Sequence, residues 1–175
     1  MTRAWGIAAL VLLSSLTVAT AQEPPQPGPE HQLLKEDEGT WLAVCKMSDG
    51  SESKGVMTSK MECGGLWLVS NFEADFGEQK FQGKGLDTYD PVTKKFVSVW
   101  VDSWATTPMN LEGTYDEKTK TMTMVGESRG PDGKPTKHRL TSTHKDKDHH
   151  SFEMFVVGAD GKETSMMTIE YTRKK

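Results

Sequence analysis

Turn signals recur at short intervals from Asp49 to Lys162, and they constrain the fold more than any other property of the chain. Asp-Gly pairs stand at Asp49-Gly50, Asp132-Gly133 and Asp160-Gly161. A second turn type appears twice, as Tyr89-Asp90-Pro91-Val92-Thr93-Lys94 and as Tyr115-Asp116-Glu117-Lys118-Thr119-Lys120. Between the turns, apolar and polar residues alternate over stretches of about eight to ten residues, the period of a strand with one buried face. The pattern predicts strands over 40–47, 56–63, 66–72, 80–89, 95–102, 110–115, 121–126, 136–144, 149–157 and 164–173. Gly83 and Gly85 mark a bulge or a barrel corner in the fourth of these. A short helix is expected over 30–38, with Pro29 in its first turn, Leu33 and Leu34 as an apolar spot and Gly39 as its stop. Closing such a meander removes its exposed edges. The expected fold is therefore all-β: a single closed antiparallel up-and-down β-barrel of about ten strands with one short N-terminal helix.

The segment before the strands reads differently. Arg3, an apolar stretch over 4–16 and Ala19-Thr20-Ala21 form the three parts of an export signal. The apolar stretch is too short to remain as a membrane anchor. Residue 22 is Gln rather than Cys, so no lipid anchor is expected. Residues 1–21 are thus expected to be a signal peptide, with cleavage near Ala21 and a periplasmic or secreted product. Residues 22–29, with Pro24, Pro25, Pro27 and Pro29, read as an extended linker. Residues 30–175 are enough for one barrel domain. The polar strand faces, Thr121 with Thr123 and Thr168 with Glu170 and Thr172, suit water, so no insertion into a membrane is expected.

The chain carries 21 basic and 25 acidic side chains, and its lysines alternate with acids. That excludes the concentrated basic patch a nucleic-acid surface requires. The two cysteines, Cys45 and Cys63, both lie in the exported part, where an even pair usually forms a disulfide worth roughly 3 kcal/mol. Against this, a tight turn at Asp49-Gly50 sets Cys45 opposite Lys54. A Cys45–Cys63 bond then needs a wider loop or a pairing of non-neighbouring strands.

Candidate binding residues follow from the aromatic faces. In the strand over 95–102, Phe96, Ser98, Trp100 and Asp102 share one side and Val97, Val99 and Val101 the other. If the first side faces inward, a carboxylate sits beside Trp100 and Trp104 in a confined space. Asp102 then either anchors a ligand or holds the strand end, with Tyr171, Arg139 and Arg173 as candidate partners. The structural role carries more weight. The expected site is a pocket for a small apolar molecule, walled by Trp41, Trp67, Trp100, Trp104 and Met124 and oriented by Asp102 or Tyr171. The methionines beyond the leader suit either an adaptable pocket wall or copper(I), but no Met-x-x-Met run concentrates them, and core filling is favoured. His144 and His149 face each other if 145–148 form the loop, and with a nearby carboxylate they could hold zinc or copper. Exposed turns collect such residues for solubility alone, so no metal is expected. No nucleophile elbow, zinc-protease helix or phosphate loop is present, and no catalytic residues are expected.

Gly39-Thr40-Trp41 resembles the Gly-x-Trp signature of the calycin superfamily, which includes lipocalins, fatty-acid-binding proteins and nitrobindin-like haem proteins. In lipocalins a basic residue near the end of the last strand packs across this Trp, and Arg173 stands where that residue would be, a contact worth ~0.5–2 kcal/mol. A haem, by the same resemblance, needs one His aimed inward, for which His138, His144 and His150 qualify by parity; none is singled out, and no cofactor is expected. A longer likeness runs through Gly64-Gly65-Leu66-Trp67-Leu68, Phe81-Gln82-Gly83-Lys84-Gly85, Tyr89-Asp90, Trp100-Val101-Asp102 and Leu111-Glu112-Gly113. In this order they resemble an exported bacterial family catalogued as domain of unknown function 1579, although Leu66 and Trp67 replace its Arg-Phe. The resemblance implies a calycin-like barrel and no particular activity. A filled barrel serving as a structural or interaction module of the envelope is the alternative, with an enzyme or haem barrel behind it. Cavity volume separates the first two.

Overall fold

The structure, a computed structural model, describes residues 23–130 and 133–175. The leader over 1–21, Gln22 of the linker and Asp132 of one Asp-Gly turn lie outside the described residues. The elements are α1 (Pro29–Lys35), β1 (Gly39–Met47), β2 (Glu52–Glu62), β3 (Trp67–Phe76), β4 (Gln79–Asp90), β5 (Lys95–Asp102), β6 (Met109–Asp116), β7 (Thr121–Arg129), β8 (Pro135–Asp146), β9 (His149–Val157) and β10 (Glu163–Arg173). Each strand pairs antiparallel with its neighbours in sequence, and β1 pairs with β10, so the meander closes into a barrel.

One device makes most of the turns. An Asp at a strand end or within the turn accepts the backbone N–H two residues on, as Asp49 does from Ser51, Asp90 from Val92, Asp116 from Lys118, Asp146 from Asp148 and Asp160 from Lys162. In the two repeated turns the chain then passes through a left-handed residue, Lys94 or Lys120, before the next strand. Strand parity sorts the side chains. Trp41, Ala43 and Cys45 are buried inside the barrel, whereas Leu42 and Val44 face out; Phe96 and Ser98 are buried and Val101 is exposed.

Three expectations need correction. Cys45 and Cys63 are free thiols. Cys45 pairs with Ser53 on β2, while Cys63 follows the far end of β2, so ten residues of extended chain, roughly 30 Å, separate their levels. Gly83 and Gly85 form no bulge, because β4 keeps continuous register with both β3 and β5. Gly83 makes room instead: a Cβ there would lie 2.2 Å from the Trp100 ring. The helix ends at Lys35 rather than running to the glycine stop. Two register shifts do occur, between Ser165 and Met167 and between His144 and Asp146.

The helix closes one end of the barrel. Leu34 packs on Leu68 and Phe96 from the inner faces of β3 and β5. Burying such a side chain is worth about 1.5–3 kcal/mol, which docks a helix too short to stand alone.

Candidate functional site

At the helix end, Arg173 ties four segments together. Its guanidinium lies 3.9 Å from the Trp41 ring centroid. It also donates to the carbonyls of Glu38 and Glu36, both at 2.7 Å, and of Lys147 at 3.0 Å. Gly39 is required beside it, since φ is +127° and a Cβ would lie 2.8 Å from Arg173 Nη1. Trp41 donates from Nε1 to the Asp37 carbonyl at 2.9 Å. The Gly-x-Trp triplet and the distant arginine are thus one packed unit.

Between this end and the other lies a cavity of about 450 Å³. Eight strands leave an interior just filled by side chains, and ten leave more room. Its walls are chemically unequal. Across β2 to β5 runs a band of small and polar groups, Ser59, Ser70, Gly85, Asp87 and Ser98, with Ser59 and Ser70 hydrogen-bonded at 2.8 Å. Met122, Met124, Leu140, Phe152, Met154 and Met167 line β7 to β10. Desolvation raises the Asp87 carboxyl to about 6, partly offset by a hydrogen bond with Ser98. Tyr171 is buried, burial holds its phenol far above the usual range, and its hydroxyl has no hydrogen-bond partner among the described residues.

A compact cluster of titratable groups sits where this cavity meets the helix end. His144 on β8 and His150 on β9 are direct cross-strand partners with rings stacked 5.2 Å apart. Asp37, from the link between α1 and β1, brings Oδ1 to 2.9 Å from His144 Nε2 and 4.0 Å from His150 Nδ1. The Asp37 carboxylate holds His144 above the usual imidazole range against the opposing effect of burial. Desolvation pushes His150 down to about 4, so it is neutral at ordinary pH. His150 also packs against Trp41 and Tyr171, with ring centroids at 4.4 and 4.5 Å.

The opposite end is aromatic. Trp104, about half exposed at 52%, packs at a tilt against Phe76 and edge-on against Phe81, with centroids at 5.1 and 4.6 Å. Asp102 accepts from Trp100 Nε1 at 2.9 Å and from the Trp104 backbone N–H at 2.8 Å. The second contact repeats the strand-end device of Asp90 and Asp116. Asp102 therefore positions two indoles by the same turn chemistry that shapes the hairpins.

Of the residues singled out from the sequence, Trp41, Trp100, Asp102, Trp104, Met124 and Tyr171 line the cavity. Trp67 does not: it is out of phase with the buried Leu68 and Ser70 and lies on the outer face of β3. Arg173 lines an outer hollow at the helix end rather than the interior. Arg139 pairs with Glu163 and does not reach Asp102. His144 faces His150 rather than His149, because of the register shift at 145, and His149 pairs with Asp146 outside. Asp37 and Asp87 were missed. Asp87 had a signal, a charge on the same parity as Gly83, Gly85 and Tyr89; Asp37 lies in a link with no periodicity to read.

These features define a closed antiparallel barrel with an apolar interior, polar on one wall and histidine-bearing at one end. The model of a family described as "Protein of unknown function (DUF1579)" matches residues 26–173, and the chain belongs to that family. No curated protein gives a significant match. Among solved structures, Rv2717c from M. tuberculosis superimposes with a TM-score of 0.63 at 13% identity, covering 85% of this chain and 99% of that one, a likeness of fold. A redesigned beta barrel matches with a TM-score of 0.44 at 18% identity over 82% of this chain and 96% of that one. The barrel EF1p2_mFAP2b bound to DFHBI matches at 0.45 and 12% identity over 82% of this chain and 98% of that one.

Proposed function

We propose that this protein is an exported carrier or sensor that binds a small, largely apolar molecule inside its calycin-like barrel. The observation that carries the reading is the cavity of about 450 Å³, within the size range of small-ligand sites. Its mixture of thioethers and aromatic rings with a few convergent polar groups supports the same reading. Methionines adapt to varied shapes, while Asp87, Ser98 and the free Tyr171 hydroxyl supply orientation. A filled structural barrel would have no such space.

Native mass spectrometry of protein purified from its own cell envelope tests this. A stoichiometric adduct is expected, lost in Met154→Trp, which places an indole in the cavity. Protein that carries no adduct and binds no apolar fluorescent probe in the wild type would refute it. The leader reading is tested separately: fractionation should find the protein outside the cytoplasm with Gln22 as its first residue. An intact residue 1 in the cytoplasmic fraction would remove the export half of the proposal.

A further inference from the structure

We propose that His144, His150 and Asp37 form a mononuclear site for a first-row divalent metal ion such as zinc at the helix end of the barrel. Their three donor atoms all lie within 4.8 Å of one another. They come from β8, β9 and the link after α1, so the fold and not local sequence assembles them. The cross-strand pairing of His144 with His150 stacks the two rings, and Trp41 Nε1 holds the Asp37 backbone by its carbonyl.

A second observation points to a ligand. His150 is 8% exposed, and its Nδ1 has no hydrogen-bond partner. Asp37 Oδ1 has none either, and at 4.0 Å the two atoms are too far apart to bond directly. His144 Nε2 already forms an ion pair with the same oxygen at 2.9 Å, so His150 Nδ1 is the buried group left without a partner. Protein interiors rarely leave complementary polar atoms unpaired. Two donors of one tetrahedral ion at 2.0–2.2 Å lie about 3.3–3.6 Å apart, and the observed spacings of 2.9 and 4.0 Å fall on either side of that value. The third spacing, within 4.8 Å, has to shorten as an ion binds.

The donor set decides the metal class. Two imidazole nitrogens and one carboxylate oxygen suit zinc, iron, nickel or copper over magnesium or calcium, which prefer oxygen shells. All three residues line the cavity, so open coordination positions face inward, where water or a polar group of a cavity occupant can complete the shell. His144 also borders the outer hollow with Glu36 and Asp146, which gives an ion a route in. This site needs no organic ligand, and its test uses the metal alone.

Chelator-treated protein is titrated with zinc by calorimetry, while the imidazole nitrogens of the wild type are followed by NMR. One ion per chain is expected, with the His144 and His150 signals moving together. Asp37→Asn and His144→Asn should each weaken zinc binding by roughly 100-fold or more, beyond the ~10–100-fold typical of outer-shell changes. His149→Asn removes the exposed pair with Asp146 and should leave the affinity unchanged. The wild-type NMR result stands even if a variant fails to fold. No saturable binding of zinc, cobalt or nickel, as a bridging water in this place would give, overturns the proposal. So does binding that moves only His149 or survives both substitutions.

Discussion

The two ends of the barrel are built on opposite principles. At the helix end, Arg173, Trp41, Gly39 and Asp37 interlock through directional contacts, three of them charge-assisted bonds to backbone carbonyls. At the other end, Phe76, Phe81 and Trp104 meet through tilted and edge-on ring contacts, with Asp102 as a polar clasp. Directional bonds lose most of their energy when atoms shift by an ångström, whereas ring contacts tolerate sliding. The first end is suited to stay shut and hold polar groups at fixed spacing. The second is suited to yield to an entering apolar molecule.

Arg173 is where this contrast is most exposed to failure. Arg173→Ala removes a cation–π contact and three charge-assisted bonds, and a loss of about 3–4 kcal/mol in unfolding free energy is expected by denaturant titration. Arg173→Lys should recover only part of it, because a lysine cannot stack on Trp41 and reach three carbonyls together. An unchanged midpoint in Arg173→Ala would show that the helix end is no more tightly held than the other.

Asp87, on the wall between the two ends, responds to pH. Its carboxyl titrates at about 6 in the fold against 3.8 for an ordinary aspartate, so the folded state binds the proton more tightly than the unfolded chain. Its contribution is fully present below pH 3.8 and is lost as pH rises through about 6, a fall of at most roughly 3 kcal/mol. Asp87→Asn should flatten that part of the stability–pH curve and leave the variant more stable than the wild type at about pH 7.5. Identical slopes in both proteins would place Asp87 in contact with water rather than inside a dry wall.

Smaller effects test the aromatic end. Trp104→Ala should weaken binding of an apolar fluorescent probe by about 1–2 kcal/mol and change stability by less than about 1 kcal/mol, since Trp104 is already half exposed. A stability loss comparable with that of Arg173→Ala would make the two ends alike. The smallest effect concerns the thiols. Burial raises Cys45 to about 11, while Cys63 is exposed. A thiol reagent should therefore modify Cys63 in the native protein and Cys45 only after unfolding, and reductant should leave the melting temperature unchanged.

Much of the fold was legible because its signals are local. Each Asp-based turn is written within five residues, and period-two alternation states which side chains share a face. That is why the strands over 95–102 and 149–157 match β5 and β9 end to end. The failures came where chemistry or count was weighed without strand parity and register. Trp67 looked like a wall residue by its chemistry, but parity within β3 puts Leu68 and Ser70 inside. Gly83 looked like a bulge, although it serves a neighbour, Trp100, that lies across the sheet. The cysteines looked paired by their count, and strand register keeps their levels apart.

The order of turns and the alternation of faces, each set by steric and hydrogen-bonding preferences a few residues long, determined a closed meander and its inward side chains. Which inward groups meet across the interior was decided only by tertiary structure. Asp37 reaches His144 and His150 because α1 docks through Leu34 and a register shift at 145 turns both imidazoles the same way. Such encounters join residues more than a hundred positions apart. Their distances depend on strand number, register and helix docking together, and no short stretch of sequence carries that sum.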